Sequence, residues 1–412
     1  MRKMPSRLFS GSDRMAFVWK NAEAATLYSI ANSVYILENK IKNEETFPKS
    51  LIVDVYIDMG KNTADLVKKM LNILIQDVLC EDIQFILNKK ALPNVKGDRK
   101  FDSCETICLF SGGIDSSIGI LESLAKFKKI IGLYVAHRYT GKIDNKVENL
   151  NKLLLKPSNI NLEKFMAPEW RRGYSQTRGF VYILYAGILS LLSDAKRVIV
   201  SECGQTMFQP KFAPLDTITY TTHPYVLQIA KTIIKFIIGR DIQIIIPFED
   251  FTKSELIQVR PDDSLLSKTH SCITGRWKGN CGKCYACITR MIGSVNNGLS
   301  LSYFKDNVFA IPDDEDLNAL LNFCFNFVYN PKDLDFWSFR SIEHFGKSEL
   351  FERVSAEAFL ALSILRDKGI LHANYEFILD EYEELRINKR KEELKKSKQP
   401  DFSKEVSLYK IT

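Results

Sequence analysis

Three observations predict an α/β fold built on a parallel sheet. Strand-like apolar runs alternate with helix-like segments between residues 107 and 246. A glycine-paired turn follows the first of those strands, and the chain ends in a helical region after residue 299. The elements follow in order. Residues 1–100 mix helices and short strands. Apolar residues recur at helical spacing over 22–38, alternate with polar ones over 51–57, become helical again over 63–79, and give a further strand at 83–87. Residues 92–98 read as a linker because they hold proline, asparagine, glycine and aspartate. In the central part, 101–300, strands are expected at 107–110, 129–135, 161–166, 197–201 and 242–246. Helices intervene, one reaching residue 127 and a long apolar one spanning 179–193. The last part, 301–412, is expected to be helical over 313–327, 348–368 and 374–398. The mixed-charge run 386–398 reads as a solvated helix or frayed tail rather than a nucleic-acid arm.

The turn after the first central strand, Phe110-Ser-Gly-Gly-Ile-Asp-Ser-Ser117, is built for an anion. Adjacent Gly112 and Gly113 let backbone approach a ligand closely, Ser111, Ser116 and Ser117 add hydroxyls, and the next helix opens with its amides toward the site. Its place at the carboxyl end of a parallel strand is where such sheets bind ligands. A ligand-free glycine turn is the alternative. The common mononucleotide loop is excluded, because the turn lacks Gly-Lys-Ser/Thr. The stretch resembles the PP-loop of ATP pyrophosphatases, which holds the β and γ phosphates during attack at the α phosphorus. The resemblance implies adenylation with release of pyrophosphate, with residues 110–117 as the ATP-binding set.

A second motif is Cys272-x8-Cys281-x2-Cys284-x2-Cys287. Four thiols with two Cys-x-x-Cys spacings suit tetrahedral Zn²⁺, and four protein ligands leave no open position, so the metal is expected to be structural. Gly282 lets the chain fold back and aim amides at sulfur. An iron–sulfur cluster is the other occupant four thiolates can hold. Disulfides fit less well, because nine cysteines without an export signal point to a reducing compartment. His270 lies close enough to substitute as a ligand and reads more simply as a loop histidine.

The two motifs at this distance, followed by Arg290, resemble the 7-cyano-7-deazaguanine synthase (QueC) family over about residues 107–299. Arg178 before the long apolar helix, the segment Pro247-Phe-Glu-Asp-Phe-Thr-Lys253-Ser-Glu255 and Thr269-His-Ser-Cys272 match family landmarks. The fold implied is an adenine nucleotide alpha hydrolase-like, Rossmann-like PP-loop core with a zinc segment. Flanking it are an α+β N-terminal extension and a helical C-terminal one. The resemblance implies ATP, Mg²⁺ and Zn²⁺, a 7-carboxy-7-deazaguanine substrate activated at its carboxylate, and C–N bond formation. Longer chains of this kind also resemble QueC-like proteins of bacterial antiphage defence loci, the Qat and type IV CBASS kinds. That implies capture of the acyl adenylate by an amine of a protein partner. The family's Asp-Tyr-Gly-Gln and Ser-Gly-Tyr-Pro-Asp-Cys-Arg segments, which contact the deazaguanine, are replaced here. Tyr134-Val-Ala-His-Arg138, Glu202-Cys-Gly-Gln and Thr219-Tyr-Thr-Thr-His-Pro224 stand in those regions.

Roles follow for single residues. Asp115 is expected to help hold Mg²⁺ beside the triphosphate and, as part of a ligand loop, to matter little for stability. Arg178 and Lys253 are expected to neutralise phosphate charge, or else to be surface cations. Arg171 and Arg172 line a substrate carboxylate or cover a loop. His137 and His223 read as structural or substrate-adjacent rather than as bases, and Cys203 reads as a packed thiol.

Length and composition set the frame. A chain of 412 residues with 45% hydrophobic and 26% charged residues is an ordinary globular protein of more than one domain. A net charge of +7 suits phosphate-bearing ligands but is too weak for a nucleic-acid surface. No apolar run is long enough for a membrane span and residues 1–12 do not form a signal peptide, so a cytoplasmic location is expected. Three function classes compete. One is a carboxylate-activating ligase. The second is a tRNA sulfur-transfer enzyme using Cys104, Cys108 or Cys203, and the third is a non-catalytic scaffold.

Overall fold

A computed structural model describes residues 13–43, 49–95, 99–136, 160–166, 175–209, 221–273, 279–331 and 342–406. Arg171, Arg172, His137, Arg138 and residues 219–220 lie outside that set. Helix α1 (Ala22–Asn43) leads into strand β1 (Ser50–Val55), whose alternation buries Leu51, Val53 and Val55 and turns Ile52 outward. Helix α2 (Lys61–Leu79) carries the chain across to β2 (Gln84–Lys89), which pairs with β1 in parallel, Ser50 opposite Gln84.

The central sheet has five parallel strands: β3 (Thr106–Leu109), β4 (Ile130–Ala136), β5 (Ile160–Met166), β6 (Arg197–Ile199) and β7 (Gln243–Ile245). Their order is β5-β4-β3-β6-β7. The chain builds outward from β3 in one direction and then from β6 in the other. The crevice between the carboxyl ends of β3 and β6 is therefore the topological switch point, where parallel sheets bind ligands. Both faces are covered, and all of β4 is buried. Ile107, Ile131, Leu133 and Val198 pack on one face with α4 (Arg178–Ser193) and α6 (Pro224–Ile238). Cys108, Ile130 and Ile199 pack on the other with Ile120 of α3 (Ile114–Lys126). A short helix, α5 (Gly204–Met207), follows β6.

Beyond β7 come α7 (Lys253–Val259), α8 (Asp263–Lys268) and α9 (Tyr285–Asn296). The C-terminal extension follows with α10 (Glu315–Tyr329) and α11 (Ser348–Asp367). The helix expected over 374–398 is broken. It consists of a 3-10 turn, Ala373–Tyr375, then α12 (Glu376–Asp380) and α13 (Glu384–Leu394). Tyr382 interrupts it by turning inward to stack on Phe359, with ring centroids 3.9 Å apart. The run 386–398 is largely a solvated helix, as expected, but a stripe of Ile387, Arg390 and Leu394 is buried. The chain then returns to the core: Ile246 N donates to Lys404 O and Val406 N to Ile244 O, covering the free edge of β7. One apolar core runs from Met15 to Val406. Among the described residues, no helix is long and apolar enough to cross a membrane.

Candidate functional site

The turn after β3 is shaped by its own hydroxyls. Phe110 is buried, and its amide continues the ladder to Leu133 O. Gly112 adopts φ +77°, a left-handed conformation that a side chain resists. Ser116 Oγ accepts from Ser111 N at 3.2 Å and donates to Gly113 O at 3.1 Å, while Gly113 N reaches Ser111 Oγ at 3.3 Å. Ser111 is exposed at the mouth of the turn. Ser117 is fully buried and donates its hydroxyl to Gly113 O at 2.7 Å, so it holds the turn. Ile114 is buried among Phe248, Leu256 and Cys203 and contributes backbone rather than side chain to the loop.

Asp115 faces away from the loop's mouth and into a charged cluster. Both its oxygens lie 2.6 Å from Lys253 Nζ, and Oδ2 accepts from Cys203 N at 3.2 Å. Lys253 is 6% exposed and Asp115 8%, so Lys253 is not a surface cation. Burial alone would lower the ammonium's pKa, but the carboxylates of Asp115 and Glu202, with the Cys203 thiol, hold it above its ordinary value. The expectation that Asp115 contributes little to stability is therefore corrected, because it is the counter-ion of a buried lysine. Lys253 is placed by helix geometry: Thr252 caps α7, its hydroxyl accepting from Glu255 N while Glu255 accepts from Thr252 N. The Lys253 amide donates to Gln205 Oε1 at 2.8 Å, tying α7 to α5.

Glu202, at the carboxyl end of β6, completes the cluster. Burial and the neighbouring Asp115 charge push its carboxyl up to about 7, while Lys253 and Arg178 pull it down. The structure thus joins Asp115 and Lys253 beside Glu202, which the sequence reading assigns only to a divergent segment, while Arg178 reaches that carboxyl only through its charge. The signal was present: an acid directly after an apolar strand at the carboxyl edge of a parallel sheet. Arg178 opens α4 and is exposed. The turn before it is held by Glu38 of α1, which accepts from Ser175 Oγ (2.8 Å), Gln176 N (2.5 Å), Thr177 N (3.1 Å) and Thr177 Oγ1 (2.6 Å).

The four cysteines converge. The sulfurs of Cys272, Cys281, Cys284 and Cys287 all lie within 4.8 Å of one another and are buried. Sγ–Sγ distances of 3.8 Å (Cys281–Cys287) and 3.9 Å (Cys284–Cys272) match the edge of about 3.8 Å expected of a tetrahedron with 2.3 Å Zn–S bonds. Lys283 N and Cys284 N point at Cys281 Sγ, at 3.4 and 3.3 Å. Gly282 sits at φ +85°, and a Cβ there would come within 1.8 Å of Asp306 O. The donor set fits zinc with no coordination position left over. His270 is outside it. Instead His270 N donates to Gly112 O at 3.0 Å and Ile114 N to Ser271 Oγ at 3.3 Å, so the segment entering the metal site is sewn to the phosphate-type turn. Arg290, fully buried in α9, fastens that segment, donating to Thr269 O at 3.2 Å and Thr269 Oγ1 at 2.7 Å and also to Leu266 O.

The other singled-out groups pack. Cys203 and Cys108 are fully buried, with burial pushing both thiols up to about 12, and burial also raises Cys104. Cys80 is the exposed thiol, at the left-handed C-cap of α2. His223 caps α6, its Nδ1 accepting from Tyr225 N at 3.3 Å, and burial lowers its pKa to about 3. It is a structural histidine.

No curated protein matches the chain. Residues 158–298, from just before β5 through the thiolate cluster to just past the end of α9, match the model of the family described as queuosine biosynthesis protein QueC. That stretch holds Arg178, Glu202, Lys253, Arg290 and all four cysteines, whereas the turn at residues 110–117 lies outside it, a strand earlier on the same sheet. Over residues 158–298, about a third of its length, the chain is therefore similar to the QueC family.

Proposed function

We propose that this protein uses ATP to adenylate the carboxylate of 7-carboxy-7-deazaguanine and passes the acyl group to an amine of a partner protein, in antiviral defence. The observation that carries the first step is the cluster at the switch point. A Ser-Gly-Gly turn opens α3, and beside it Lys253 is paired with Asp115 next to Glu202, whose carboxyl the Arg178 charge also lowers, in a chain whose residues 158–298 match the QueC family model. In this reading the turn's amides and hydroxyls hold the β and γ phosphates, and a substrate oxygen attacks the α phosphorus. The P–O bond to pyrophosphate breaks as the new one forms. Lys253 and Arg178 offset the negative charge that builds up there. An amine then attacks the acyl carbon and AMP leaves. Mg²⁺, when bound, would offset phosphate charge, and Asp115 would help hold it with the lone pairs that its two oxygens do not use on Lys253. Zinc supplies structure alone.

The partner amine is favoured over ammonia because the deazaguanine-contacting segments depart from the family pattern and because the chain extends well beyond the matched residues at both ends. Sulfur transfer is disfavoured, since Cys104, Cys108 and Cys203 are buried with raised pKa values. The deciding assay incubates the protein with ATP, 7-carboxy-7-deazaguanine and either ammonium or the products of neighbouring genes. Nucleotides are resolved by chromatography and proteins by intact mass. AMP and pyrophosphate are expected, with a deazaguanine adduct on a partner. Nitrile from ammonium with no adduct leaves a conventional synthase, and ADP as the sole nucleotide product overturns the reading.

A further inference from the structure

We propose that Arg390, in the C-terminal extension, is a positioning residue for the phosphate-type turn, acting through Glu255, Glu357 and Thr252 on the Lys253–Asp115 pair. The inference rests on the reading of Lys253 and Asp115 given above.

The linkage is continuous in the structure. Arg390 is buried, and its Nη2 lies 2.6 Å from Glu255 Oε1 and 2.5 Å from Glu357 Oε1, with Nε 3.1 Å from the latter. Glu357, from α11, is also buried and accepts the Thr252 hydroxyl proton at 2.7 Å. Thr252 and Glu255 are the two halves of the capping box that opens α7, and Lys253 is the first residue inside it. Helix α7 has seven residues, too few to hold its own amino terminus by propagation of backbone bonds. The guanidinium fork is the piece that lets two buried carboxylates stand side by side behind the cap. Arg353 adds a contact to Glu255 at 3.0 Å and Lys398 one at 3.5 Å, both from the same extension. From Lys253 the path runs through two 2.6 Å contacts to Asp115, in the first turn of α3, and so to residues 111–117.

A network with this geometry has a specific consequence. If Arg390 is lost, Glu255 and Glu357 repel each other, the cap loosens, and the Lys253 ammonium drifts by a fraction of an ångström. Misplacement of a charge-neutralising group costs turnover more than substrate affinity. Arg390→Lys keeps the charge but loses the fork, and Arg390→Met loses both.

The test uses the full-length, zinc-loaded protein. Arg390→Lys is expected to melt within a few degrees of wild type and keep its zinc. Its kcat for AMP formation should fall about 10- to 100-fold, with the KM for ATP changed less than about 3-fold. Hydrogen–deuterium exchange of the amides at 111–117 and 250–256 should rise about 10-fold, while that at 281–296 stays unchanged. Should Arg390→Met not fold, Glu357→Gln serves instead. It removes one of the two charges while retaining an acceptor for Thr252, and it should loosen the same amides. A folded Arg390→Lys or Arg390→Met protein with wild-type exchange at 111–117 and wild-type kcat overturns the proposal. Absence of AMP formation in wild type, with exchange still raised by Arg390→Lys, overturns the adenylation reading and supports the positioning role.

Discussion

Lys253 and Asp115 meet at 2.6 Å with little solvent on either, so each makes the other tolerable in the crevice. Removing one partner from a buried pair leaves an uncompensated charge. Asp115→Ala should therefore lower unfolding stability by about 3–5 kcal/mol as well as stop ATP use. Pairing it with Lys253→Met should recover much of that stability without recovering activity. Urea titrations of the two single variants and the double variant measure the coupling. Additive single-variant losses in the double would refute the pairing.

At the scale of elements, the metal segment and the phosphate-type turn form one unit. Gly282 lets the Cys281–Cys284 turn close on sulfur, and Ser271 and His270, just ahead of Cys272, are bonded to Ile114 and Gly112. Zinc binding in a closed four-thiolate site is part of the folding free energy. Chelation, or Cys284→Ser, should lower the melting temperature and release zinc, and the turn's affinity for ATP should fall alongside. Metal analysis with calorimetry checks this. A soluble, zinc-free and fully active Cys284→Ser protein would falsify the structural assignment.

For the whole molecule, the extensions are built into the core rather than hung from it. Glu38 of α1 is fully buried and accepts four hydrogen bonds from the turn that precedes Arg178, with Lys42 also 2.8 Å away. Truncating it strands those buried donors, so Glu38→Ala should cost about 3 kcal/mol or more of stability. It should also weaken ATP turnover through Arg178. A chemical denaturation midpoint unchanged from wild type would count against this. The C-terminal tail does the matching job on the other side, pairing along β7 and clamping Glu255.

The strand–helix alternation, the turn at residues 110–117 and the cysteine spacing were legible in the sequence because each is local. A strand shows its burial by period, a left-handed turn shows its glycine, and a thiolate site shows its spacing. The helical reading of 374–398 held in two pieces but missed the break at Tyr382 and the inward turn of Arg390, whose partners on α11 and α7 are remote in sequence. Tertiary structure alone decided that Asp115 pairs with Lys253, that Glu202 joins them, and that Glu38 and Arg390 reach in from the two ends. Each is a long-range contact made by a charged group in a buried setting. A single charged residue in a sequence looks the same whether it will face water or a partner more than a hundred residues away.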